Sequence, residues 1–200
     1  MKRFSLFCIF CAILTSPLYG GPVFTLSQTD LLSLSEVYDS PSGQSLVRVT
    51  TDPIAYNSDS SVLAGDVGFV GDLTGTPSSM AEIWLGNSGA DLTGYDAYQL
   101  KLFNDNDDTW NVRLFVWPDD TDPGSAVFSG GWVPLAKGHG ATLTVDVSTL
   151  GTVDSMGFAV GSLREDRFHI SASPIPAPGA LLLASMGMGL VGYLRRRRSL

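Results

Sequence analysis

AYQLKLFNDNDDTWNVRLFVW, Ala97 to Trp117, is the stretch whose reading decides the fold. Tyr98, Leu100 and Leu102 alternate with Gln99, Lys101 and Phe103; after Asn104 to Asp108, Trp110, Val112, Leu114 and Val116 alternate with Asn111, Arg113, Phe115 and Trp117. A period of two puts alternate side chains on opposite faces of an extended strand. The polar run between them has turn chemistry, because Asn and Asp tolerate left-handed backbone and cap nearby amides. The spacing predicts an antiparallel hairpin with Leu102 opposite Trp110, Leu100 opposite Val112 and Tyr98 opposite Leu114 on a buried face. The other face then carries Tyr95 with Trp117, Ala97 with Phe115, Gln99 with Arg113 and Lys101 with Asn111.

Working outward, short alternating runs predict further strands at Ser45–Thr50, Ala81–Leu85, Ala126–Phe128, Trp132–Leu135, Thr142–Val147, Met156–Val160 and Phe168–Ser171. Gly65–Gly75 is dotted with glycine and reads as an irregular strand or a loop. Thr29–Val37 reads as one or two helical turns, capped by Thr29 or Asp30 ahead of Leu31, Leu32, Leu34 and Val37. No long stretch carries an apolar stripe at helical period. The fold class is all-β, a single antiparallel sandwich over residues 21–173, with an N-terminal signal helix and a C-terminal hydrophobic helix on either side. In order and polarity, Ala90 to Gly161 resembles the jelly-roll sandwiches of the galactose-binding-like class, through ADLTGYDAYQLKLFNDN, WNVRLFVW, GGWVPLAKG, ATLTVDVSTL and VDSMGFAVG. That class includes many carbohydrate-binding modules, so the resemblance bears on fold first.

Both ends read as addresses. Lys2 and Arg3 precede the apolar run Phe4 to Leu14, too short to span a membrane, and a cut near Gly20 completes a signal peptide over residues 1–20. Both cysteines, Cys8 and Cys11, go with it, so the mature chain has no thiol for a disulfide, a metal or a nucleophile. At the other end Pro174, Pro176 and Pro178 form an extended hinge, Gly179 to Leu194 is uncharged, and Arg195, Arg196, Arg197 and Arg198 follow. At ~1.5 Å per residue the apolar run spans ~24 Å, short for a permanent span of a ~30 Å hydrocarbon core. The arginines hold the C-terminus on the cytoplasmic side.

Residues 174–200 resemble the bacterial PEP-CTERM sorting signal: a proline motif, a hydrophobic helix and a basic cluster. Ile175, Pro176, Ala177 and Pro178 align with its motif, with Ala177 where the family usually carries glutamate. The resemblance implies an exosortase-like membrane processing enzyme as partner, transient insertion in the inner membrane, and delivery to the cell surface or an exopolysaccharide matrix. A plain single-span anchor is the alternative.

Removing both ends leaves six basic residues against all 20 acids, a net charge of −14. Such a body repels phosphate backbones, so nucleic acid is not an expected partner. His139 and His169 lack metal-ligand spacing and read as surface histidines, so no metal site is assigned to them. No Gly-x-Ser-x-Gly elbow is present. The acids fall in turn-like clusters and suggest no catalytic pair, so the chain is expected not to be an enzyme, with a polysaccharide-active enzyme as a lesser alternative. The turns Asn104–Asp108 and Asp119–Gly124 lack an EF-hand pattern; turn chemistry accounts for them, with calcium the one cofactor to weigh. The outward hairpin face supplies the candidate ligand-binding set, Tyr95, Gln99, Lys101, Arg113 and Trp117, whose rings and donors suit a polysaccharide unless the face is covered. The expected function is therefore an exported, non-catalytic surface or matrix sandwich, alternatively a carbohydrate-binding module.

Overall fold

The computed structural model describes residues 21–39, 45–50 and 66–175. The expected signal helix (residues 1–20) and C-terminal hydrophobic helix (within residues 176–200) lie outside the described residues. Two six-stranded sheets stack as a β-sandwich. Sheet A holds β1 (Val23–Phe24), β3 (Ser45–Thr50), β4 (Val67–Thr74), β6 (Ala97–Asn104), β10 (Gly140–Asp146) and β12 (Glu165–Ser173). Sheet B holds β2 (Ser35–Asp39), β5 (Ala81–Asp91), β7 (Trp110–Trp117), β8 (Val127–Phe128), β9 (Val133–Leu135) and β11 (Thr152–Ser162).

The predicted hairpin does not form. β6 pairs with β10, β12 and β1, whereas β7 pairs with β11, β8 and β9. The chain crosses from one layer to the other between them. The alternation is unchanged: Tyr98, Leu100 and Leu102 point inward from sheet A and meet Trp110, Val112 and Leu114 of sheet B in one core. Asn104 makes the crossing possible. Its side-chain amide donates to the carbonyls of Asp108 (2.6 Å) and Leu135 (2.8 Å), and its Oδ1 accepts the Asn106 N–H (2.9 Å). The polar run thus satisfies its backbone locally, where a hairpin would use a ladder.

Phe69, Phe158, Phe168 and Ile170 are fully buried in the same core, and the Tyr98 hydroxyl crosses it to donate to the Gly157 carbonyl at 3.4 Å. Each such large side chain contributes about 1.5–3 kcal/mol by leaving water. Gly65–Gly75, read as an irregular strand or a loop, contains strand β4 (Val67–Thr74), in even register with β12 and with a register shift against β3, and Val67, Phe69 and Leu73 are fully buried; Gly65 lies outside the described residues. Thr29–Val37 divides into a helix, α1 (Gln28–Leu32), and the start of β2. Its cap is Ser27, two residues before Thr29, the nearer of the expected candidates. Ser27 Oγ accepts the Asp30 N–H at 3.2 Å while the Asp30 carboxylate accepts the Ser27 N–H at 2.9 Å, a reciprocal capping box.

One lane of sheet A is shared. β10 runs along β6 from Phe103 to Ala97, leaving the opposite edge to two strands: β12 beside Lys101 to Asn104, and the two-residue β1, parallel, beside Ala97 and Tyr98. The first and last strands of the body therefore lie end to end.

Candidate functional site

The layer crossing separates the proposed binding set. Gln99 and Lys101 lie on the outer face of sheet A, and Arg113 and Trp117 on the outer face of sheet B. Tyr95 precedes β6 and packs edge-to-face on Phe24, with ring centres 5.2 Å apart. One face carrying all five does not exist, because the two strands belong to different sheets.

Sheet B carries the densest chemistry. Its middle strand β11 alternates Met156, Phe158 and Val160 into the core with Gly157, Ala159 and Gly161 outward. These small residues form a floor on which rings from the flanking strands lie. A Cβ at Gly157 would collide with the Leu85 backbone, and one at Gly161 would sit 3.0 Å from the Trp132 ring. Trp84, Phe115 and Trp117 form a second apolar cluster here, at most 4% exposed, with Val37, Tyr38, Ala126, Phe128 and Trp132 packed around it. Trp84 is the hub: its ring centre is 4.5 Å from Tyr38, 5.1 Å from Phe115, and 5.2 Å from both Trp117 and Phe128. The Trp117 indole N–H donates to the Asp122 carbonyl at 3.0 Å.

Arg113 rises through this cluster. Its guanidinium carbon lies 3.7 Å from the Phe128 ring centre and 4.2 Å from that of Trp132, and it donates to Glu82 Oε2 at 2.7 Å. Burial lowers the guanidinium pKa, and Glu82 opposes that shift. Arg113 therefore holds the β8–β9 segment against the sheet through cation–π contacts, its stacking surfaces already taken by the protein's own rings. The indole N–H of Trp84 and Nε–H of Arg113 are buried without a hydrogen-bond partner among the described residues. Glu82, Trp84, Phe128 and Trp132 escaped the sequence reading. The signal was the alternation of small residues in MGFAVG, which marks a strand that must be crossed closely on one side.

The outer face of sheet A is covered differently. His169 was expected at the surface beside Arg167, yet it is fully buried. β12 is an inner strand, and the crossing loop runs beside it as a continuation of β6: Asp105 N–H donates to the His169 carbonyl at 3.1 Å, and the Asn106 side-chain amide donates to the Arg167 carbonyl. His169 Nε2 is 3.9 Å from Asp105 Oδ2. Burial drives the imidazole pKa down to about 4. It drives the Asp105 carboxyl up, against a hydrogen bond from Ser171 and with added repulsion from Asp66. Exposed ion pairs join Arg167 to Asp72 (2.7 Å), Arg164 to Asp108 (3.0 Å) and Lys137 to Asp107. His139 is exposed, as expected, with Nδ1 2.8 Å from the Lys137 carbonyl.

The acidic turns behave as turns. Asp119 accepts from the Thr121 amide (3.0 Å) and hydroxyl (2.6 Å), Asp122 accepts from the Gly124 amide (2.9 Å), and Asp146 accepts from the Ser148 amide (3.0 Å) and hydroxyl (2.7 Å). These bonds hold the Asp119 and Asp146 carboxyls below the usual range. Asp119, Asp120 and Asp154 bring three exposed carboxylates within reach of one ion, with Asp154 contributed by β11. Of the sorting motif, Ile175 is the last described residue; Pro176, Ala177, Pro178 and Arg195 to Arg198 lie outside the described residues. No helix among the described residues is long and apolar enough to cross a membrane.

No protein-family model matches the chain, and no curated protein matches it. Among solved structures it is similar to a carbohydrate-binding module of the β-sandwich superfamily, at 12% identity and a TM-score of 0.48 over 80% of this chain. It is also similar to the glycoside hydrolase domain of Endo-D from Streptococcus pneumoniae, at 16% identity and a TM-score of 0.37 over 65% of this chain. The chain spans 59% of the first structure's length and 21% of the second's. The sandwich architecture itself stands on the two sheets described above.

Proposed function

We propose that this chain is an exported, non-catalytic β-sandwich of the cell surface or exopolysaccharide matrix, delivered by its leader and PEP-CTERM-like tail. The observation that carries this reading is where the body ends. β12 lies between β6 and β4, so the last strand is an inner one, and it stops at Ser173 beside Lys101. Pro174 and Pro176 follow, and residues without an N–H cannot extend the ladder. The proline motif begins just after the last described strand, which supports this reading. A cut near Pro178 by an exosortase-like enzyme leaves every described strand in place, while Arg195 to Arg198 keep the discarded end on the cytoplasmic side. The cysteine-free, acidic body suits an extracellular setting.

Fusing residues 174–200 to a secreted reporter in the producing bacterium tests the tail. Release of a reporter ending near Pro178, abolished when Pro176 and Pro178 become Ala, is expected. Release that ignores both substitutions contradicts the sorting role.

One observation favours glycan binding as a second reading: the Glu82–Arg113 pair lies among the half-exposed rings of Tyr38, Phe128 and Trp132, beside a Trp84 N–H that has no partner among the described residues. Rings and a charged pair together suit sugar faces and hydroxyls. Trp132→Ala then weakens retention on the bacterium's own exopolysaccharide; undiminished retention rejects that site.

A further inference from the structure

Gly21 is the first residue of the body, and it sits directly against a carboxylate. A Cβ placed on Gly21 would fall 2.7 Å from Asp96 Oδ1, with the other carboxylate atoms closer still. The Asp96 carboxylate therefore lies directly against the Gly21 backbone, in the space that a side chain would take. The nitrogen and the Cβ position of one residue are about 2.5 Å apart, which places the Gly21 nitrogen within about 5 Å of that oxygen. The register fixes the approach from the other side: Asp96 N–H donates to the Pro22 carbonyl at 2.9 Å, Val147 N–H donates to the Asp96 carbonyl at 3.0 Å, and Val23 lies opposite Ala97. Asp96 belongs to none of the four Lys or Arg ion pairs found among the described residues.

We propose that leader removal after Gly20 creates an α-ammonium at Gly21 that pairs with Asp96 and latches β1 beside β6. In the precursor this nitrogen is a neutral amide. Cleavage turns it into a cation next to a carboxylate that has no other cationic partner among the described residues, and the charge-assisted contact exists only in the processed protein. The device has a purpose in this fold. β1 is two residues long and occupies only the part of the β6 edge that β12 leaves free, so its ladder alone gives it little hold. Phe24, edge-to-face with Tyr95 and 6.4 Å from Tyr98, supplies the apolar half of its attachment, and the ammonium supplies the polar half. Processing at the first end thereby completes the sheet whose last strand leads into the second address.

The latch presupposes the export reading, and the experiment separates the two. The exported protein is purified from the producing cell, its first residue is sequenced, and its α-amine is titrated by NMR in wild type, in Asp96→Asn and in a variant with one glycine inserted between Gly20 and Gly21. The expected result is a chain beginning at Gly21 whose amine titrates about one unit above the ordinary 7.7–8.0. The shift disappears in Asp96→Asn. It also disappears in a glycine-inserted chain shown to start one residue earlier, where Asp96 is intact but the charge has moved by ~3.8 Å. An ordinary amine pKa in a wild-type chain that begins at Gly21 overturns the latch and leaves export standing. A purified chain that still begins at Met1 overturns both.

Discussion

The two outer faces of this sandwich are closed by opposite means. Sheet B is covered by rings, with Trp84, Phe115 and Trp117 lying over small residues and Arg113 clamped by Phe128 and Trp132. Sheet A buries polar groups around His169, with Asp105 beside it and the Asn104 and Asn106 amides tied to backbone carbonyls. Aromatic cover gains free energy from every buried ring, whereas polar cover must offset desolvation with hydrogen bonds and leaves its titratable groups displaced from their usual pKa. One face adds stability, and the other makes stability depend on pH.

The sharpest break in this contrast comes from Trp117→Ala. The ring is 4% exposed and its N–H is bonded, so truncation costs about 3–5 kcal/mol, read as a lowered denaturation midpoint in urea. A midpoint within error of wild type would mean that the ring lies at the surface. Arg113→Ala comes next. It removes three cation–π contacts and leaves Glu82 without this partner, costing about 2 kcal/mol by the same measurement.

The polar face is broken by acid. The folded state holds the His169 pKa near 4 against 6.5 for the free side chain, so between those values the unfolded chain binds more protons. The contribution is whole above about pH 6.5, drains away as pH falls toward 4, and is partly opposed by Asp105, whose raised pKa acts in the other direction. His169→Gln therefore flattens the stability loss between pH 7 and pH 4.5 by about 1–2 kcal/mol in denaturation curves taken at both values. Trp117→Ala leaves that slope unchanged, which distinguishes the faces. The smallest effect is Arg167→Ala, which removes an exposed pair with Asp72 and costs under about 1 kcal/mol, less at high salt.

Alternation revealed which residues of β6 and β7 point inward, because both sheets obey the same two-residue period. It could not reveal their partners. Tyr98, Leu100 and Leu102 meet Trp110, Val112 and Leu114 equally well across a hairpin or across a core, and the choice fell to Asn104, whose amide satisfies the crossing. His169 was misread for a related reason: an outward side chain is exposed only at a free surface, and His169 lies on an inner strand beside Asp105, a neighbour that the sequence around it does not reveal. The aromatic face was half visible in Arg113, Phe115 and Trp117. Its remainder lay in Trp84 and in the glycines of β11, whose meaning depends on which strands flank them. Gly21 gave no signal until Asp96 was placed beside it.

The central claim is that a complete sandwich sits between two removable addresses. Intact-mass analysis of the protein recovered from outside the producing cell tests it most directly. The account predicts a chain that begins at Gly21 and ends near Pro178; a polypeptide running from Met1 to Leu200, soluble in the cytosol, would contradict it.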